Sequence, residues 1–151
     1  MSLPQDVVIA RGLRAVRNGM LACVAAALAL GVFQSAVVLL AGGAATRLGV
    51  WPGLTSLLVG QVGALVAGGI GFAGLRRALR PGADIPGVRE STARAMRRVP
   101  RPMFAALVLA AAGWSLFEPR AGIEALVLGA VAAQAAFAIT FGARLVDGDD
   151  S

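Results

Sequence analysis

The sequence contains no histidine, no lysine and no tyrosine, and its one cysteine, Cys23, lies inside a long apolar run. A lone cysteine without histidine cannot form an intrachain disulfide or a Cys/His zinc site within one chain. The missing histidine and lysine also remove the usual general bases, so serine and acidic residues lack a partner for nucleophilic catalysis. We therefore expect a protein that holds no cofactor or metal and is not an enzyme.

Charge is also scarce, because charged residues make up 15% of the 151 residues while hydrophobic residues make up 58%. Ordinary globular domains contain roughly 45–50% apolar and about 25% charged residues. Apolar runs occupy residues 20–41, 54–75, 103–117 and 123–143, and a helix needs about 20 such residues to cross a bilayer. The sequence predicts an all-α integral membrane protein, a four-helix bundle of two antiparallel hairpins that forms a single domain over residues 1–151.

Two of these runs allow other interpretations. The run 103–117 covers only about 22 Å as a helix, so it needs flanking residues or local thinning of the bilayer. The run 20–41 follows three arginines and precedes small residues, as the core of a cleaved signal peptide does. Signal-peptide cores are usually about 7–15 residues long, so the length of this run favours a span.

The 14 basic residues are all arginines, and they are distributed unevenly between the apolar runs. Three precede the first run, eight lie in the loop 76–102 and one lies in the tail 144–151, whereas only Arg47 and Arg120 fall in the other connections. Cytoplasmic segments of membrane proteins are enriched in arginine and lysine. We therefore expect both termini and the long loop on the cytoplasmic side of a plasma membrane, and the high Ala, Gly and Arg content indicates a GC-rich bacterial genome.

Two basic segments have the pattern of amphipathic helices at the inner membrane surface. In residues 5–19, Ile9, Leu13 and Val16 recur at helical spacing, and in the loop Val88 and Thr92 begin a similar row that continues to Val99. We expect their arginines to hold anionic lipid, with docking of another protein as the alternative. Nucleic acid is not expected, because no aromatic residues are interleaved for base stacking. The basic residues are Arg11, Arg14, Arg17, Arg89, Arg94, Arg97 and Arg98.

The second run carries a broad strip of small residues in two rows of four-residue spacing. Small residues allow the backbones of membrane helices to approach closely. The strip therefore predicts a helix-packing face inside one bundle, with a homodimer interface as the alternative. Its members are Gly60, Gly63, Ala64, Ala67, Gly68 and Gly71.

Polar residues within the runs are few, and the longest are the amides Gln34, Gln61 and Gln134. Such amides usually bond to another helix, whereas a proton or substrate path would place an ionisable group near the midplane. Glu124 lies at the start of the fourth run, four residues after Arg120. An interfacial ion pair between these two side chains is expected, and a proton site is the alternative.

A segment near the end of the chain resembles a known family. Residues 117–122, FEPRAG, are followed by Gly129 and Gln134, and the small-residue run before them ends in Arg76 and Arg77. These features are similar to a hairpin turn and a helix of the ATP synthase protein I family, small four-helix membrane proteins implicated in assembling the rotor ring. The resemblance implies a four-helix fold and a role as an assembly factor, and it does not extend to the first helix.

These patterns lead to two hypotheses about function. The first is a non-enzymatic accessory or assembly subunit of a larger membrane complex, acting through helix packing. The second is a small transporter or channel module. It would have to form a homo-oligomer, because four closely packed helices without buried charge leave no aqueous path.

Overall fold

The computed structural model describes residues 5–40 and 48–148, with side chains from residue 7 onward. It contains five helices: α1 (Gln5–Leu40), α2 (Trp51–Ala78), α3 (Ile85–Arg98), α4 (Pro100–Phe117) and α5 (Pro119–Asp147). No strand occurs in these residues. Four helical stretches, with α3 and α4 taken together, are long and apolar enough to cross a bilayer. The predicted all-α class is therefore confirmed, and so is the prediction of four stretches long and apolar enough to span a membrane.

Proline sets the start of each of the last four helices. Pro52, Pro86, Pro100 and Pro119 each lie in the first two positions of their helix. Proline is suited to these positions, because the backbone N–H that it lacks would have no partner within the helix. The last helix ends at Asp147 and is capped by Gly148, whose φ of 74° is favourable only for glycine and whose N–H donates to the Arg144 carbonyl over 2.9 Å.

The first helix is longer than a single membrane span. The sequence predicted a separate interfacial helix over residues 5–19, but α1 continues without a break for 36 residues, about 54 Å at 1.5 Å per residue. No proline interrupts it, and the helix accommodates Gly12 and Gly19 because other helices pack closely there. The N-terminal arginines therefore lie on the first turns of α1 and not on a separate helix. Residues 41–47, including Arg47, and residues 149–151 lie outside the described residues.

At the centre of the bundle, α2 and α5 pack against each other. Helix α1 packs on both from one side and α4 packs on both from the other, while α1 and α4 do not meet in the described part of the chain. Met20 of α1 lies against Gly71, and Gly31 lies against Gln61, so α1 and α2 run in opposite directions. The buried residues are mostly glycine and alanine, and many large side chains, such as Leu40 and Leu116 at 85% and 89%, are exposed, as suits a helix surrounded by lipid.

The loop predicted over residues 76–102 is mostly helical. Helix α3 fills its second half, and α4 begins at Pro100, three residues earlier than the predicted span, which gives α4 18 residues. That length covers about 27 Å. Helix α3 packs across one end of the bundle, which it shares with the start of α1 and the ends of α2 and α5. We call this the basic end.

Candidate functional site

The small-residue strip of α2 lies at the centre of the bundle. Its six members, Gly60, Gly63, Ala64, Ala67, Gly68 and Gly71, are all buried. A methyl group added at Gly60 would lie 2.8 Å from the Ala132 carbonyl oxygen of α5, and one added at Gly71 would lie 3.0 Å from Met20 Cβ of α1. Gly63 faces Met103 of α4 in the same way. Three neighbouring helices of the same chain therefore cover the strip, which favours packing within one bundle over a homodimer for this face.

Helix α3 packs against the basic end through one face. Its buried residues are Ile85, Thr92, Ala93 and Met96. The Cγ2 atom of Ile85 would lie 2.6 Å from a methyl group at Gly12 of α1, and Thr92 lies against Gly74 of α2. Of the row predicted from Val88 to Val99, only Thr92 is fully buried. The face that α3 turns toward the bundle begins with Ile85, the first residue of the helix, and therefore passes through other positions than the predicted row. That face packs on protein, not on the membrane surface.

Two arginines of α3 hold this helix to the end of α5. Arg89 Nε donates a hydrogen bond to the Val146 carbonyl oxygen over 2.7 Å. The last carbonyls of a helix have no partner within it and carry partial negative charge, so a guanidinium is favourable there. Arg97 forms an ion pair with Asp147, also in the last turn of α5. These two residues, predicted to bind the lipid surface, join α3 to α5.

Exposed arginines, Arg97 among them, form a collar around the basic end. Arg94 pairs with Glu90 one turn away on the same helix, and both side chains are more than half exposed. At the opposite end, Arg120 is the one arginine among the residues that the structure describes. The concentration of positive charge at one end therefore follows from the fold as well as from the sequence. The exposed members are Arg11, Arg14, Arg17, Arg76, Arg77, Arg80, Arg94, Arg97, Arg98, Arg101 and Arg144.

The three glutamines have different environments. Gln61 Nε2 donates to the Ala27 carbonyl oxygen over 3.3 Å and joins α2 to α1. Gln34 Nε2 is buried but has no hydrogen-bond partner among the described residues. Gln134 is exposed on α5, and its side chain bonds to no part of the chain that the structure describes. Only Gln61 thus forms the interhelical bond expected of all three.

Polar contacts at the end opposite the basic end were not predicted from the sequence. Ser56 Oγ donates to the Ala125 carbonyl oxygen of α5 over 2.8 Å. Trp114 Nε1 of α4 donates to Thr55 Oγ1 over 2.8 Å. A signal for Ser56 was present, because it lies four residues before Gly60 and extends the row of small residues on α2. No comparable pattern points to the bond between Trp114 and Thr55.

Glu124 lies at this same end, half-buried beside the first turn of α2. One of its carboxylate oxygens would be 3.1 Å from a methyl group at Gly53. The carboxylate therefore faces the start of α2, where unpaired N–H groups give partial positive charge. The ion pairs in the described part of the chain are Arg94–Glu90 and Arg97–Asp147, so the expected pair with Arg120 is not formed there.

The interior contains little that can react or bind an ion. Ser56 and Thr92 are the fully buried polar residues among those described, and both hydroxyls donate to backbone carbonyls. The described residues contain no group of three His, Cys, Asp or Glu side chains able to hold a metal. No family model matches the sequence, and no curated protein or solved structure matches it either.

Proposed function

We propose that this chain is a non-catalytic accessory or assembly subunit of a larger plasma-membrane complex, built as two antiparallel hairpins with both termini and the basic end in the cytoplasm. The observation that carries the proposal is the closed interior of the bundle. A protein that moves a solute needs a path through itself, whereas a subunit that acts by packing needs only its outer surfaces. In this chain the charged side chains lie on the outer surfaces of the bundle.

The helices pack backbone against backbone in the interior of the bundle. A methyl group added at Gly19 would lie 2.5 Å from the Gly142 carbonyl oxygen, and one at Gly60 would lie 2.8 Å from that of Ala132. Helices packed this closely leave no room for a water-filled channel at these contacts. Ionisable residues that mark ion and proton pathways face a bundle interior or cavity, and no charged side chain is fully buried in the described part of the chain.

The arrangement of arginines supports the orientation. Eleven exposed arginines surround the basic end, and Arg120 is the one described at the other end. Positive charge marks the cytoplasmic side of membrane proteins. With the basic end in the cytoplasm, the chain crosses the membrane four times, the first helix begins inside and the last helix ends inside.

The arginines nearest the apolar runs are the ones that would hold anionic lipid. Arg17 lies three residues before the first run, Arg77 follows the second and Arg101 lies in the first turn of α4. Each gains about 1 kcal/mol near an anionic leaflet. Arg11 lies about 14 Å from Met20 along α1, beyond the Debye length of about 8 Å at physiological salt, and therefore gains less.

Lipid binding is tested in nanodiscs that contain a small fraction of phosphatidylglycerol in phosphatidylcholine. The triple substitution R17Q, R77Q and R101Q is expected to reduce the phosphatidylglycerol retained by the purified protein, and the reduction should shrink at high salt. A matched triple of R11Q, R14Q and R94Q, which lie farther along the chain from the apolar runs, removes the same charge. Equal losses from both triples would contradict localisation of the lipid at the membrane-proximal arginines.

The role as a subunit is tested by mild-detergent purification of the tagged full chain from its native membrane, followed by flux assays in proteoliposomes. Unlike subunits that copurify in fixed ratio, without flux from the chain alone, support the proposal. Flux from the purified chain would support the transporter alternative and overturn the accessory role. A chain that carries no flux and associates with no unlike protein would overturn both.

A further inference from the structure

One polar side chain of α5 faces away from the bundle at the middle of the membrane. Gln134 lies eleven residues from Ile123 and nine from Ala143, the two ends of the apolar run. It is exposed, and its amide has no hydrogen-bond partner in the described part of the chain. An amide without a partner is costly in hydrocarbon, where water cannot replace the missing bond. This position therefore requires a partner from outside the chain.

The residues around Gln134 form an outward-facing stripe on α5, which we call the Gln134 stripe. All of its members are exposed, and Gln134 is the one amide among apolar residues. Spacing of three and four residues alone does not distinguish this face, because every face of a helix has that spacing. A single polar residue in an apolar seam does, because it fixes register when two helices pair. The members are Ile123, Val127, Ala130, Gln134, Phe137 and Phe141.

A groove lies on each side of the Gln134 stripe. Between α5 and α1, Ala26, Ala29 and Phe33 line a groove of about 330 Å³ that includes Gln134 itself. Between α5 and α4, a groove of about 590 Å³ includes Phe104 and Phe141. The stripe is therefore a ridge between two depressions, a shape that can receive side chains from another helix on both sides.

We propose that the Gln134 stripe is the interface at which a second copy of this chain packs, with the two Gln134 amides bonded to each other. An amide both donates and accepts, so two identical side chains can satisfy each other. Ala130, one turn away, has a side chain small enough for the two α5 backbones to approach. The small-residue strip of α2, the other surface suited to close approach, is covered by the chain's own helices.

Membrane geometry makes the arrangement of the two copies specific. Both copies insert with the same orientation, so a closed pair must have its two-fold axis along the membrane normal. The two α5 helices then run parallel, and each residue of the stripe meets its own counterpart at the same depth. Gln134 faces Gln134 of the second copy, and Ala130 faces Ala130. The inference rests on the proposed function only in requiring that the bundle lies in a membrane.

The test is disulfide trapping in native membranes with Cys23 replaced by alanine. A130C is expected to form a disulfide-linked dimer on oxidation. The control is A105C, which is exposed on the outer face of α4. It lies twelve residues before the end of α4 and Ala130 lies eleven after the start of α5, so the two cysteines have similar depth. A130C trapping no greater than that of A105C would overturn the proposal.

The role of the amide is tested by adding Q134L or Q134N to C23A/A130C. Loss of two interhelical amide bonds is expected to lower the association constant about tenfold for Q134L, and Q134N should retain most of the trapped dimer. Trapping unaffected by Q134L would overturn the proposal, as would an adduct whose mass differs from twice that of the chain. A chain that resists carbonate extraction but forms no dimer would overturn this inference alone. A chain removed by carbonate would overturn the proposed function as well.

Discussion

The backbone of Gly19 in α1 lies directly against the backbone of Gly142 in α5. A methyl group at Gly19 would lie 2.5 Å from the Gly142 carbonyl oxygen, and one at Gly142 would lie 2.8 Å from the Gly19 carbonyl oxygen. The approach is reciprocal, so a side chain on either helix pushes against rigid backbone of the other. This contact fixes the separation of the first and last helices at the basic end.

Substitution G142A is therefore expected to destabilise the protein by about 1–3 kcal/mol, the usual cost of forcing an extra group into a packed interior. The measurement is unfolding in mixed micelles with increasing SDS. The matched control is G69A, since nothing lies within 4 Å of a methyl group at that position in α2. Alanine favours helix over glycine by about 1 kcal/mol, so G69A should be neutral or stabilising. Equal losses for the two variants would contradict the packing argument.

The hydrogen bond between Trp114 and Thr55 is expected to couple α4 to α2. In a double-mutant cycle of W114F and T55V, the coupling free energy should be about 0.6 kcal/mol and no more than about 1.7 kcal/mol, the range measured for interhelical bonds in membranes. Thr55 replaced by serine keeps the hydroxyl and provides the control. Effects of W114F and T55V that simply add would show that the bond makes no net contribution to stability.

Substitution R89Q is expected to loosen the last turn of α5. It replaces the charge-assisted bond to the Val146 carbonyl, which contributes about 1.5–3 kcal/mol for a charged partner, with a neutral donor on a shorter side chain. Hydrogen–deuterium exchange over residues 140–148 should become faster. Substitution R94Q is the control because the partner of Arg94, Glu90, lies on its own helix. Similar acceleration in both variants would indicate a general charge effect and not loss of the bond.

Membrane orientation is expected to appear in cysteine labelling of intact cells in a C23A background. Pro81 and Pro119 are both exposed and lie at opposite ends of the bundle. A maleimide that cannot cross membranes should label P119C and should label P81C only after the cells are permeabilised. Labelling of P81C in intact cells, with P119C protected, would reverse the proposed orientation.

The spans and the α2 strip were predictable because membrane insertion leaves a strong mark on composition. Long uncharged runs mark the spans, and small residues spaced by four mark close helix contacts, as Gly60 and Gly71 show. The partners of that strip were not predictable. Gly60 faces Ala132 and Gly71 faces Met20 because of how three helices dock, which depends on all of their side chains together.

The roles of the charged residues were harder to predict. Arg89 and Arg97 have the same sequence context as the other arginines of the basic end, and only the position of the end of α5 gives them their structural contacts. The continuity of α1 was also missed. Its basic first half is amphipathic, as a helix on the membrane surface would be. No proline separates that half from the apolar run, so one helix can continue through both. The hydrogen bond from Trp114 to Thr55 was also missed, because it depends on how α4 packs against α2.

The docking of α3 on α5 also has a consequence for the order in which the protein is made. Arg89 leaves the ribosome 57 residues before Val146, whose carbonyl it will bind, and Arg97 precedes Asp147 by 50. During that interval α3 can pack on α1 and α2, which precede it in the chain, but its contacts with α5 cannot yet form. Completion of the last turn of α5 then supplies the partners of Arg89 and Arg97. Until α5 is finished, the two arginines that join α3 to α5 are without their final partners, so a chain cut short before Val146 lacks both contacts.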